Sequence, residues 1–255
     1  MKKLSLLIII CFSVVGFSYG QHSEIPNREQ LKQYNSYTHK FEPKSCWKYV
    51  YELKDGLVVK QENYCKKELM NRTEFEYDQF GNVEREINTY DFKDGKKKDT
   101  LNLKLEYNDS LVVKKVFDFG TTEKYSDFTE LGNPKLIEKK DEVLLKAFSK
   151  EQIEYDEKGN IIKSTQFTDY RDSTVSPKPQ NEKCIITYKY DDRNNVIEIH
   201  RKYEPKQEFP IPITGGPFLY EYEYFRYKYN KNRLWTKKYK TVNGKEYLIA
   251  KRKYK

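Results

Sequence analysis

Apolar and polar side chains alternate with a period of two over most of this chain. In LNLKLEY, Leu101, Leu103, Leu105 and Tyr107 share one parity; around CIITYKY, Cys184, Ile186, Tyr188 and Tyr190 do the same. That spacing puts one set of side chains on each face of a β-strand. The alternating runs are cut by short turn signals, among them Asp55-Gly56, Asp94-Gly95 and Asn243-Gly244, and pairs of this kind join antiparallel strands. Helical spacing is confined to two stretches, REQLKQY (Arg28 to Tyr34) and EVLLKAFSKEQ (Glu142 to Gln152), each expected as a short helix. Two segments break the alternation. Arg171 to Lys183 reads as a polar loop, and Glu204 to Phe218, with Pro205, Pro210, Pro212, Pro217 and Gly215-Gly216, as a long loop or edge segment. In FLYEYEYFRYKY the aromatic phase flips between Tyr224 and Phe225. This predicts either a β-bulge or a strand with both faces covered.

One short pattern recurs. YDQFGNV (Tyr77 to Val83) returns as YDEKGNI (Tyr155 to Ile161) and, with Asn in place of Gly, as YDDRNNV (Tyr190 to Val196). A shortened copy begins at Tyr229-Asn230, a weaker one at Tyr107-Asn108, and FTELGNPKLI keeps only the Gly-Asn. An Asp or Asn side chain can accept a hydrogen bond from the backbone two residues on, which starts a turn. The Gly, or Asn194 in the third copy, occupies a place where the chain needs a positive φ. An aliphatic residue then opens the return strand. Each copy is therefore expected to be a hairpin tip, with a tyrosine ring in the core and its hydroxyl turned to water.

The tyrosine, the aspartate and the Gly-Asn, followed by an aliphatic residue, resemble the tyrosine-aspartate repeat of Rhs-type proteins. The copies span residues 73 to 240. The resemblance implies an architecture of repeated antiparallel hairpins. By family analogy it also raises a role as an accessory of a toxin system, such as an immunity protein. The expected fold is all-β: successive antiparallel hairpins forming an extended or curled twisted sheet, with one or two short helices.

The first residues modify this picture at one end. Lys2 and Lys3 precede an apolar run, Leu4 to Val15, and the small residues Ser18 and Gly20 stand before Gln21. This is the layout of a secretory signal peptide. The division expected is a signal peptide at 1–20, an N-terminal segment at 21–45 and a β-hairpin repeat domain at 46–255, with no transmembrane segment after cleavage. The product is exported: periplasmic, cell-surface or extracellular. In an oxidising compartment a disulfide is allowed. With Asp55-Gly56 as a two-residue turn, Lys54 opposes Leu57, and the same register carries Cys46 opposite Cys65, within reach of a bridge. A three-residue turn pairing Leu53 with Leu57 is the competing register. Cys184 is then a buried structural thiol.

The chain of 255 residues has a formal charge of +9 and a mean hydropathy of −0.96. Its Lys and Glu are interspersed, as in VEREI and LIEKKDEV, which fits an ion-paired β surface better than a phosphate track. Together with export this argues against a nucleic-acid partner. Of the three histidines, His22, His39 and His200, none stands at metal-ligand spacing from another His or a Cys. No H-E-x-x-H, C-x-x-C or G-x-S-x-G occurs, and no cofactor or catalytic residue is expected; a hydrolase built on a carboxylate pair is the remaining enzymatic alternative. The chain holds 23 Tyr, 14 Phe and 2 Trp. The reading that follows is an exported, non-enzymatic β-repeat protein, an interaction or structural module with a protein or glycan partner at the cell envelope. The alternative is a glycan or cell-wall polymer binder using an aromatic face, with Tyr220, Tyr222 and Tyr224 as the candidate patch.

Overall fold

The computed structural model describes residues 28–41, 45–92, 95–143, 146–170, 180–211 and 218–255. The signal peptide, His22, Asp94, most of the Arg171–Lys183 loop and the Thr214–Gly216 stretch lie outside these residues. A short helix, α1 (Arg28–Leu31), precedes sixteen strands. They are β1 (Ser36–Phe41), β2 (Trp47–Lys54), β3 (Leu57–Cys65), β4 (Glu68–Tyr77), β5 (Val83–Phe92), β6 (Gly95–Asn108), β7 (Leu111–Phe117) and β8 (Thr121–Phe128), followed by β9 (Pro134–Asp141), β10 (Ala147–Tyr155), β11 (Ile161–Asp169), β12 (Glu182–Tyr190), β13 (Val196–Glu204), β14 (Tyr222–Tyr229), β15 (Trp235–Val242) and β16 (Lys245–Tyr254).

Every strand pairs antiparallel with its neighbours in the chain, and β16 pairs with β1, so the sheet closes into a barrel. The all-β antiparallel expectation holds; the extended or curled sheet does not. Closure comes from residues 36–41, ahead of the repeats, which pair with β2 on one side and β16 on the other. A twisted sheet of this many strands has two unpaired edges to satisfy, and joining them removes both. The second expected helix is also corrected. Ala147 to Tyr155 is β10, with Ala147 and Ile153 buried and Phe148 and Glu154 on the opposite face. Its helical look comes from apolar residues at mixed spacing, and pairing with β9 and β11 overrides that local preference.

The repeats are hairpin tips, and the structure shows why their residues recur. In the first copy Asp78 Oδ1 accepts from the amides of Phe80 and Asn82, while its own amide donates to the carbonyl of Asn82. The same pair of acceptor contacts forms at Asp156, at Asp191 and, through Oδ1 of an asparagine, at Asn230. The fourth turn position takes φ of 83° at Gly81, 61° at Asn194 and 64° at Arg233. The register slips by one residue just before each repeat tyrosine, at Tyr77, Tyr107, Tyr155, Tyr190 and Tyr229, as a bulge closing a tight turn requires.

The repeat hydroxyls described by these contacts are engaged within the protein. Tyr77 donates to the carbonyl of Val58, Tyr155 to that of Pro134 and Tyr190 to that of Ile161. Each bond runs from the end of one hairpin's outgoing strand to the start of the previous hairpin's return strand. Tyr107 and Tyr229 instead donate to the turn carboxylates Asp78 and Asp191 of the preceding repeat. The repeat thus links each tip to the one before it.

Because the strands meander, connections alternate between the barrel's two ends. One end carries the tight turns from β2–β3 to β14–β15 and is called the turn end. Part of it is capped by α1. Leu31 is fully buried there against Tyr37 and Leu53, with Tyr34, Tyr51, Val58 and Tyr254 around them. Arg28 Nε donates to the Asp55 carbonyl. A side chain on Gly56 would collide with the Arg28 carbonyl, so glycine serves both the close approach and its φ of 77°. A second apolar cluster, Tyr125, Ile137 and Ile153, lies farther round the barrel.

The predicted bridge between Cys46 and Cys65 is present, with a Cα–Cα distance of 4.7 Å. Asp55-Gly56 is the two-residue turn, since Lys54 pairs with Leu57. The register then slips between Glu52 and Leu53, so that Trp47 rather than Cys46 opposes Cys65. Cys46 sits one residue beyond the pairing and still reaches.

Candidate functional site

Opposite faces of the barrel wall carry different chemistry. Outside, directly opposed residues form ion pairs: Glu76 with Arg85 at 2.7 Å, Glu106 with Lys114 at 2.8 Å, Glu154 with Lys163 at 2.7 Å and Lys189 with Glu198 at 2.9 Å. Arg85 of VEREI is in one of these pairs, whereas Glu86 of the same stretch and Lys139 of LIEKKDEV face the interior. Individually each pair contributes about 1 kcal/mol or less. In each pair one member stands one position before a repeat tyrosine, so together they set a row of charge pairs around the outside of the barrel beside its tight turns.

One strip of the exterior is aromatic. In β14, Glu223, Phe225 and Tyr227 face inward, and Tyr222 and Tyr224 face out, 47% and 45% exposed. Tyr222 pairs across the ladder with His200 of β13, and the two rings stack with centroids 4.2 Å apart and planes 4° apart. Tyr224 continues the stack, 6.4 Å from Tyr222 and 8° from parallel. On the next strand Tyr239 lies under the Arg226 guanidinium, 4.4 Å from its carbon, and Arg226 is held by both carboxylate oxygens of Glu246. The strip therefore crosses β13, β14 and β15, and exposed Phe218 stands at the end of the Glu204–Phe218 segment.

The candidate patch of Tyr220, Tyr222 and Tyr224 is divided by this arrangement. Tyr220 precedes β14, its carbonyl accepts from Arg201, and the Lys240 ammonium lies 4.6 Å from its ring centre. It belongs with the buried charges rather than the exposed strip. The phase flip at Tyr224-Phe225 needs neither a bulge nor a covered outer face; the one register slip in β14 lies farther on, before Tyr229. The flip marks a change in which parity carries the rings. His200 and Tyr239 were not legible as partners, because their places beside Tyr222 and Arg226 depend on the pairing of three strands. The nearest sequence signal was parity: His200 alternates with the inward residues Ile199 and Arg201.

Inside, the barrel wall bears charges as well as rings. Glu223 is held by Arg201 at 2.5 Å and by Lys240, all three side chains 8–13% exposed. Glu123 accepts from the Tyr125 hydroxyl at 2.5 Å and pairs with Lys139 at 3.4 Å. Glu151 accepts from Ser164 at 2.6 Å. His39, placed by sequence in the N-terminal segment, lies in β1 and accepts at Nδ1 from Arg252, whose guanidinium stacks 3.8 Å from Trp235. Among the described residues no three His, Cys, Asp or Glu side chains come together as a metal site, and no helix is long and apolar enough to cross a membrane. Cys184 is buried, as expected, and burial raises its thiol pKa.

Burial sets a pH dependence for this interior. Desolvation raises the Glu151 pKa, opposed by its bond from Ser164 and reinforced by the charge of Glu123; Glu86 is raised by desolvation, opposed by Lys115. A carboxylate whose folded pKa lies above its unfolded value binds its proton more tightly when folded. Below about pH 4, where it is protonated in both states, its contribution is most favourable, and this is lost as pH rises through the folded pKa. Glu151→Gln is accordingly expected to raise the neutral-pH melting temperature, with the gain shrinking to nothing towards pH 4. Melts of both proteins across that range test it, and a gain that grows on acidification is the contrary result.

The chain matches no family model and no curated protein. Among solved structures it is similar to a porin-like protein from Bacteroides uniformis ATCC 8492, at 10% identity over 88% of this chain and 97% of that one, with a TM-score of 0.41. It is similar also to a porin-like protein from Bacteroides vulgatus ATCC 8482, at 10% identity over 87% and 98%, with a TM-score of 0.43. A third is a chain in the TcdB2-TccC3-Cdc42 structure, at 16% identity over 80% of this chain and 10% of that one, with a TM-score of 0.32.

Proposed function

We propose that this protein is an exported, non-enzymatic barrel that acts at the cell envelope or outside it as a binding module for a glycan or cell-wall polymer. The observation that carries the reading is the exposed stack of His200, Tyr222 and Tyr224. His200 and Tyr222 cover each other's facing ring surfaces. The exposed remainder of the row, with its phenol hydroxyls, offers apolar contact and hydrogen bonds to successive sugar units, while neighbouring Glu221, 3.9 Å from His200, and the Arg226–Glu246 pair offer hydrogen bonds to hydroxyls. Export is supported by the Cys46–Cys65 bridge, which belongs to oxidising compartments. The recurring tips at Tyr77, Tyr155 and Tyr190 support the family reading as a short, divergent YD-repeat protein, in architecture alone.

The mature protein is expected to co-sediment with isolated envelope polysaccharide or peptidoglycan. The Tyr222→Ala/Tyr224→Ala double variant should bind about tenfold more weakly, on the order of the loss of two ring contacts. Recovery of a protein partner and no polymer in a pull-down from envelope fractions would remove the glycan reading and leave the interaction-module one.

A further inference from the structure

The capping of the turn end by α1 is one-sided. On the side away from Leu31, the five tips from β4–β5 to β12–β13 surround a cavity of about 470 Å³. This falls in the range of small-molecule sites. Its rim is formed by the repeated turn asparagines Asn82, Asn133 and Asn160, and its walls include the rings of Tyr155 and Tyr190. Deeper along the strands lie Lys115 and Tyr188.

Part of the wall is fixed by hydrogen bonds, and three of its polar heads make none within the described residues. Tyr155 and Tyr190 are locked by their hydroxyl bonds to the carbonyls of Pro134 and Ile161. Asn160 is held by Asp156. In contrast, the Tyr188 hydroxyl, the Lys115 ammonium and the Asn133 carboxamide form no hydrogen bond or ion pair with other described residues, although all three line the same cavity. Burial raises the Tyr188 phenol to about 12 and lowers the Lys115 ammonium, a fall that the charges of Glu123 and Glu86 oppose; the ammonium lies 5.6 Å from the Tyr125 ring centre. All three side chains are partly buried, so each presents a polar head to the cavity that a ligand can reach.

We propose that this cavity is a binding site for one sugar-sized, hydroxyl-rich ring. A phenol, a carboxamide and an ammonium offer donors and acceptors at three points, and the tyrosine faces offer flat apolar contact. The lining includes no carboxylate and a single cation. A phosphate group is recognised by convergent cations or a helix N-terminus, and the lining shows neither. The site lies inside the turn end, apart from the exterior strip on β13–β15, and stands whether or not that strip binds polymer.

The test is calorimetric titration of the mature protein with methyl glucoside, N-acetylglucosamine and glucuronate, which separates neutral, acetamido and acidic rings. At least one should bind with a Kd in about the millimolar range or tighter. Tyr188→Phe, which removes one hydroxyl with no protein partner, should weaken that binding about tenfold and leave the melting temperature unchanged. Asn133→Ala should weaken it as well, whereas Tyr222→Ala/Tyr224→Ala should leave it intact. Absence of heat with all three probes overturns the proposal. So does binding that ignores both cavity variants, or binding that disappears with the exterior variant; the latter would move the sugar to the outer strip.

Discussion

Glu223→Ala is expected to cost this barrel about 3–5 kcal/mol, the largest effect of any single substitution considered. Among the described residues Glu223 is the carboxylate paired with both Arg201 and Lys240 on the flanking strands, and all three side chains are almost out of solvent. Taking two cations and an anion from water is expensive, and their attraction offsets the cost only while the set is complete. Removing the carboxylate leaves two buried positive charges facing each other across β14. Glu223→Gln keeps a hydrogen-bond acceptor and should cost less. Replacing all three by apolar residues of similar volume should restore most of the loss, because the desolvation cost then disappears too. For a chain of this size, thermal unfolding followed by circular dichroism should show a fall of roughly 10 °C for Glu223→Ala. A loss under about 1 kcal/mol would mean that water reaches the triad and screens it.

The second large effect is expected at the bridge. Cys46→Ala/Cys65→Ala should destabilise the mature protein by about 3 kcal/mol, the loop-closure value for a bridge spanning 19 residues. The location adds a reason to expect the full effect. Cys46 leads into β2, the partner of β1, and β1 is the six-residue strand on which closure depends. Freeing the start of β2 loosens the neighbour that β1 needs, while the turn-end contacts of Leu31 stay in place. Urea unfolding of the oxidised and double-variant proteins gives the difference directly. Thiol counting on the unfolded, unreduced mature protein should find one free thiol, Cys184; three would show that the bridge does not form.

The hairpins were legible in the sequence because their causes are local. Asp78, Asp156 and Asp191 bond to amides two and four residues on, and the positive φ at Gly81 and Asn194 is set by the same short segment. The alternation at Leu101, Leu103 and Leu105 likewise identifies one face of a strand without reference to any neighbour. The exception shows the limit. Residues 142–152 carry a spacing that suits a helix, and β9 and β11 on either side turn Ala147–Tyr155 into a strand. The bridge was found through a register that holds next to the Asp55-Gly56 turn and slips farther out. It formed because a one-residue offset still leaves the two Cα atoms 4.7 Å apart.

By itself the sequence determined where the repeat hairpins turn, and it brought Cys46 close enough to Cys65 for a bridge to be expected. Only the tertiary structure decided that the sheet closes, that Tyr220 turns away from Tyr222 and Tyr224, and that Glu223 meets Arg201 and Lys240. The physical reason is distance along the chain. A turn is specified by five neighbouring residues, but each bulge shifts pairing by one position, and a one-position shift exchanges inside for outside. The faces of the barrel, and with them the exterior strip and the cavity between the tips, exist only once all sixteen registers are set together.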